Sequence, residues 1–115
     1  MAEPVSHDVA LPGSLTIRCT ADDRGAVVIL GGELDLESAP ELDRQLREVA
    51  GASPGRLLID LSGLEFMDST GLSVIVHAHR DSQANGHQLA LRPGPPQVQR
   101  LFELTGVRQH LTFEE

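Results

Sequence analysis

The chain has 115 residues and a mass of 12.4 kDa, enough for one buried core and too little for a core plus a substantial second domain. Its formal charge is −8, and all 9 basic residues are arginine, an acidic balance that excludes phosphate backbones and anionic membranes as ready partners. With no Trp, no Tyr and only 3 Phe, the core falls to Leu, Val, Ile and Ala, and stacking platforms for nucleic acid bases are missing.

Residues 1–13 read as a flexible start, with Pro12 and Gly13 at its end, followed by a single domain over 14–115. The opening MAEPVSHDVA lacks the positive end and apolar run of a leader peptide. No apolar stretch approaches the roughly 18 residues of a membrane span. A soluble, cytoplasmic protein is expected. Leu15 to Cys19 alternates as a strand does, which predicts that Cys19, the only cysteine, is a buried small hydrophobe with no disulfide partner. Asp22 to Gly25 supplies a turn, and Val27 to Leu30 is the apolar run of a central strand, so a hairpin is expected. After it Gly31-Gly32-Glu33 either continues the strand or bulges.

Ser38-Ala39-Pro40-Glu41 has the spacing of a capping box, so the first helix is predicted to start at Ser38. Leu42, Leu46, Val49 and Ala50 form its apolar face, and the stretch 51–55 ends it. Leu57 to Leu61 is a dense apolar strand containing Asp60, read as a structural carboxylate bonded to nearby backbone. A loop over 63–69 is expected next. Leu72, Ile75, Val76 and His79 then share one stripe of a second helix that stops at Asn85-Gly86. A strand over 88–91, a third helix marked by Val98, Leu101, Phe102 and Leu104, and a short last strand over 110–113 complete the chain. The fold class is α/β: a small mixed sheet of four to five strands covered by about three to four helices.

Phe66-Met67-Asp68-Ser69-Thr70-Gly71-Leu72 lies where a buried strand has ended and a helix begins. Ser69 or Thr70 can cap that helix, and Gly71 allows a close backbone approach. Hydroxyl groups at the positive end of a helix, on the loop leaving a strand's carboxyl end, stand where an anion meets free N–H groups. A phosphate there would add about two negative charges beside Asp68.

These residues carry a resemblance to a known family. Leu57-Leu58-Ile59-Asp60-Leu61-Ser62 followed by Phe66-Met67-Asp68-Ser69-Thr70-Gly71-Leu72 is similar to the signature of the STAS domain, in particular that of the bacterial anti-sigma factor antagonists. Leu30 to Asp35 resembles the family's link between second strand and first helix, and Val98 to Gly106 its late helix. The resemblance implies that Ser69 is a phosphorylation site, that Asp68 orients or recognises it, and that Thr70, Gly71 and Leu72 begin the helix at the partner-binding edge. It places Glu33 and Asp35 on the same edge, with a solvent-facing turn residue as the equal alternative for Asp35. The function implied is a switch: unphosphorylated, the protein binds an anti-sigma factor of the serine-kinase type and frees its sigma factor; phosphorylation at Ser69 ends the contact, and a serine phosphatase resets it. The alternative is a STAS scaffold or regulatory binding module acting on a different protein partner.

An enzyme is not expected. The sequence lacks a nucleophile elbow, and His77 lies eight residues beyond Ser69, about two helical turns away. His77 and His79 point in different directions on a helix, so neither they nor His7, His87 and His110 suggest a metal site. The absence of lysine and of a phosphate-binding glycine loop argues against a bound nucleotide, and no cofactor is expected.

Overall fold

The computed structural model describes residues 5–10, 15–52 and 55–114. Its elements are β1 (Val5–Ala10), β2 (Leu15–Asp22), β3 (Gly25–Leu34), α1 (Ala39–Ala52), β4 (Arg56–Met67), α2 (Ser69–Ala84), β5 (Leu89–Arg92) and α3 (Pro96–Thr105), followed by a 3-10 turn at Arg108–His110. The strands form one sheet in the order β1-β2-β3-β4-β5. The first two pairings are antiparallel, and β3–β4 and β4–β5 are parallel. A helix joins each parallel pair, the crossover that parallel neighbours require. This is the mixed α/β architecture read from the sequence.

Alternation decides which face is covered. Leu15, Ile17 and Cys19 of β2 are buried while Thr16 and Arg18 between them are exposed. Ala26, Val28 and Leu30 of β3, Leu57, Ile59 and Leu61 of β4, and Leu89 and Leu91 of β5 join the same core. The helices close over it with Leu42 and Leu46 of α1, Leu72 and Ile75 of α2, and Val98 and Phe102 of α3. Each such side chain contributes roughly 1.5–3 kcal/mol on full burial. Phe102 packs edge-on against Phe113, with ring centroids 5.2 Å apart.

The hairpin turn falls where Asp22 to Gly25 placed it, and Asp22 Oδ1 accepts the Arg24 N–H at 2.9 Å. The choice left open at Gly31-Gly32 is resolved as both continuation and bulge. β3 runs on to Leu34, but its register against β4 shifts between Ile29 and Gly31 and again between Gly32 and Glu33, with Gly32 at φ 83°.

Four expectations are corrected. The flexible start over 1–13 contains β1, whose six residues pair with β2 from Val5 opposite Ala21 to Ala10 opposite Thr16; the rest of that stretch lies outside the described residues. The loop expected from residue 63 is strand as far as Met67, because β3 also extends and offers Gly31 to Leu34 as partners. The capping box is spelled but not used as such. The Ser38 hydroxyl turns back to accept the Asp35 N–H at 3.0 Å and lies 3.1 Å from the Glu33 carbonyl, and the helix begins at Ala39. The strand expected over 110–113 is the 3-10 turn followed by an isolated parallel bridge between Leu91 and Phe113. There Leu91 N–H donates to Thr112 O at 2.8 Å, and Glu114 N–H to Leu91 O at 2.7 Å.

Candidate functional site

The carboxyl ends of β3 and β4 lie side by side, with Glu33 opposite Phe66 and Leu34 opposite Met67. Leu34 and Met67 point into the core at 0% and 6% exposure. Beyond them β3 enters the turn that leads to α1, and β4 passes through one residue, Asp68, into α2.

Asp68 ties the two paths together. Its N–H donates to Leu34 O at 3.1 Å, which fixes the residue at the strand end. Oδ1 accepts the Gly71 N–H at 3.0 Å, and Oδ2 accepts the Leu36 N–H at 3.2 Å. The first bond caps α2, satisfying one of the donors that a helix start leaves free. The second anchors the β3–α1 turn, 32 residues away in sequence. The choice left open between Ser69 and Thr70 as helix cap therefore goes to neither: Asp68 is the cap, with the extended backbone (φ −102°, ψ −177°) typical of one.

Ser69 becomes the first helical residue and is exposed. Its carbonyl accepts the Ser73 hydroxyl at 3.0 Å, while its own hydroxyl has no partner among the described residues. The side chain thus stands free at the positive end of a 16-residue helix. Thr70 is half-buried, and Gly71 and Leu72 are buried. A Cβ on Gly71 would lie 2.5 Å from Leu34 Cγ and 3.1 Å from Leu34 O. Of the residues expected at the partner edge, Gly71 and Leu72 therefore lie beneath it, packing α2 against the end of β3.

Asp35 is half-buried and bonded into its own turn. Oδ1 accepts the N–H groups of Glu37 and Ser38 at 3.0 and 3.1 Å, and its carbonyl accepts the Ala39 N–H at 2.8 Å. It shapes the turn that starts α1. Glu33 is exposed.

Asp60 sits away from this edge and has the structural role read from the sequence. Oδ1 accepts the Ser62 N–H at 2.9 Å, and Arg92 Nη1 donates to Oδ2 at 3.0 Å. Burial pushes its carboxyl up, but the bonds from Ser62 and the Arg92 guanidinium outweigh that and hold it below the ordinary carboxylate range.

Two residues at the edge were not among the site residues expected from the sequence. Leu36 is 69% exposed and Phe66 46%, two of the four large hydrophobic side chains left exposed among the described residues. The segments that carry them, 31–40 and 57–76, contain no Arg, Lys or His. Among the described residues no three His, Cys, Asp or Glu side chains converge to hold a metal ion, and no helix is long and apolar enough to cross a membrane.

Comparison with known proteins matches residues 17–112 to a family described as "Mlab, STAS domain". A curated relative, the anti-sigma-B factor antagonist of Staphylococcus aureus, is 30% identical over 102 residues, covering 89% of this chain and 94% of that protein. The anti-sigma-F factor antagonist RsfB of Mycobacterium tuberculosis is 37% identical over 67 residues, covering 58% of this chain and 55% of its own length. Among solved structures, an anti-sigma factor antagonist from Mycobacterium paratuberculosis superimposes with a TM-score of 0.75 at 30% identity, covering 91% of this chain and 89% of that one.

Proposed function

The chain belongs to the STAS domain family, and from that premise we propose that it is an anti-sigma factor antagonist switched by phosphorylation at Ser69. The observation that carries the reading is the free Ser69 hydroxyl on the first turn of α2, beside an aspartate that locks two loops into one surface. The names of its relatives in Staphylococcus aureus and Mycobacterium tuberculosis support the same function. In this reading the unphosphorylated protein docks its Ser69 edge, with Glu33, Asp68 and Thr70, onto a cytoplasmic anti-sigma factor of the serine-kinase type, which then releases its sigma factor. The chain is ligand and substrate, not catalyst.

Phosphoryl transfer to Ser69 Oγ breaks the bond between the γ-phosphorus of ATP and its bridging oxygen and releases the serine proton and ADP. The product carries about two negative charges next to the Asp68 carboxylate. Docking would then have to strip water from a dianion beside another anion, which is costly without a new counter-charge. Hydrolysis of the phosphoester by a serine phosphatase restores the hydroxyl. The fold need not change, since Ser69 is exposed and its side chain bonds nothing among the described residues.

The test is incubation with the serine-kinase anti-sigma factors of the source genome and Mg-ATP, read by intact-protein mass spectrometry. One phosphate should be gained by the parent and none by Ser69→Ala, and Ser69→Asp should no longer retain the kinase. Capture of a different protein with no phosphate transfer would favour the scaffold alternative.

A further inference from the structure

We propose that Leu36 and Phe66 are the apolar anchors of the docking edge, and that they fit a protein partner with apolar recesses set inside a basic rim. The inference rests on the reading of the Ser69 edge as the partner-binding one and specifies what that partner must look like.

Exposure is the first ground. In a domain whose core takes in Phe102, Leu15, Ile17, Leu30 and Leu34 at 1% exposure or less, a leucine at 69% and a phenylalanine at 46% stand out at one end of one strand pair. Phe66 lies opposite Glu33 in the β3–β4 register, two residues before Asp68. Leu36 follows Leu34 by two residues, and its own N–H is the group that Asp68 Oδ2 holds. Its place is therefore fixed from the same carboxylate that caps the Ser69 helix. An apolar side chain on a backbone already tethered loses less freedom on binding than one on a loose loop.

Charge supplies the partner's chemistry. Glu33, Glu37 and Glu65 are exposed around the two anchors, and none has an ion-pair partner among the described residues. The segments that carry them, 31–40 and 57–76, contain no basic residue; the arginines of α1 are engaged along their own helix, Arg44 with Glu41 and Glu48 and Arg47 with Asp43, and Arg100 of α3, the helix whose Gln97 bonds the Glu65 carbonyl, makes no ion pair with these carboxylates among the described residues. An apolar centre within a polar rim is the common anatomy of a protein interface. A rim of carboxylates selects arginine and lysine opposite it and speeds encounter with such a surface at low salt.

The experiment measures binding of the parent and of Leu36→Ser, Phe66→Ser and the triple variant Glu33→Gln, Glu37→Gln, Glu65→Gln to the serine-kinase anti-sigma factors of the source genome, by surface plasmon resonance at two salt concentrations. Each apolar variant should weaken binding tenfold or more, mostly by faster dissociation. The triple variant should slow association and flatten its salt dependence. These side chains are exposed, and unchanged circular dichroism and urea midpoints confirm that the variants fold. If the parent binds and the two serine variants bind as tightly, the anchor assignment is overturned while the functional reading stands. If the parent binds and the triple variant associates as fast, the basic partner is overturned. If the parent binds none of the kinases, the functional reading falls and the anchors with it.

Discussion

Two aspartates on the path of β4 solve the same local problem in opposite ways. Asp60, within the strand, is 6% exposed and is satisfied by a countercharge, Arg92, together with the Ser62 N–H. Asp68, one residue past the strand, makes no ion pair among the described residues and is satisfied by two backbone N–H groups, one from the β3–α1 turn and one from the first turn of α2. The first ties β4 to β5, and its charge is cancelled inside the fold. The second ties the loop of β3 to the helix after β4 and leaves its charge to the surface. Placement relative to the strand end decides which aspartate serves the fold and which serves the site.

The contrast can be broken first at Gly71, which seats the Asp68 end on the core. Gly71→Ala places a Cβ against fully buried Leu34, so urea unfolding should show a loss of about 1–3 kcal/mol, as overpacking does. An unchanged midpoint would mean that α2 shifts freely over β3. A smaller effect is expected at the clip itself. Asp68→Ala removes a helix cap, worth about 1 kcal/mol, and its sharper signature is faster amide exchange at both Leu36 and Gly71. Exchange that speeds up at Gly71 alone would show that the bond to Leu36 does not order the β3–α1 turn.

The smallest effect sharpens the Asp60 side. Because its carboxyl is held below its ordinary value in the folded protein, the stability it contributes is present above that value and lost as the pH falls below about 4. In Asp60→Asn the acid limb of stability against pH should be shallower than in the parent by a few tenths of a kcal/mol per pH unit. Superimposable limbs would remove the charge from its proposed role.

Much of this was legible in the sequence, and the misses have local causes. The apolar spacing of Leu42 and Leu46 marked α1, and the alternation of Leu15, Ile17 and Cys19 marked β2, because both elements bury one face. The end of β4 was not legible, since Ser62, Gly63 and Glu65 interrupt its apolar run and only pairing with the extended β3 holds it as strand. The strand at Val5–Ala10 likewise owes its form to pairing with β2. At the site, Ser69 and Asp68 were visible as a motif. Which of the polar residues would cap α2 was not, because the bond from Asp68 N–H to Leu34 O, a tertiary contact, sets where the helix starts. Leu36 was hidden by the rule that found its neighbours: Leu34 and Leu36 alternate as one strand face would, but β3 stops at Leu34 and leaves Leu36 outside.

The bridge at residues 112–114 has a bearing on how copies of this domain coexist at high concentration. β5 would otherwise present open backbone donors and acceptors along one side of the sheet, the kind of edge that templates pairing between molecules. Leu91 instead exchanges two hydrogen bonds with Thr112 and Glu114, and the Glu114 carboxylate is pinned by Arg56. The segment covers part of that edge, so trimming the chain back to Leu111 should expose the backbone of Leu91 and raise self-association, read by light scattering at rising concentration.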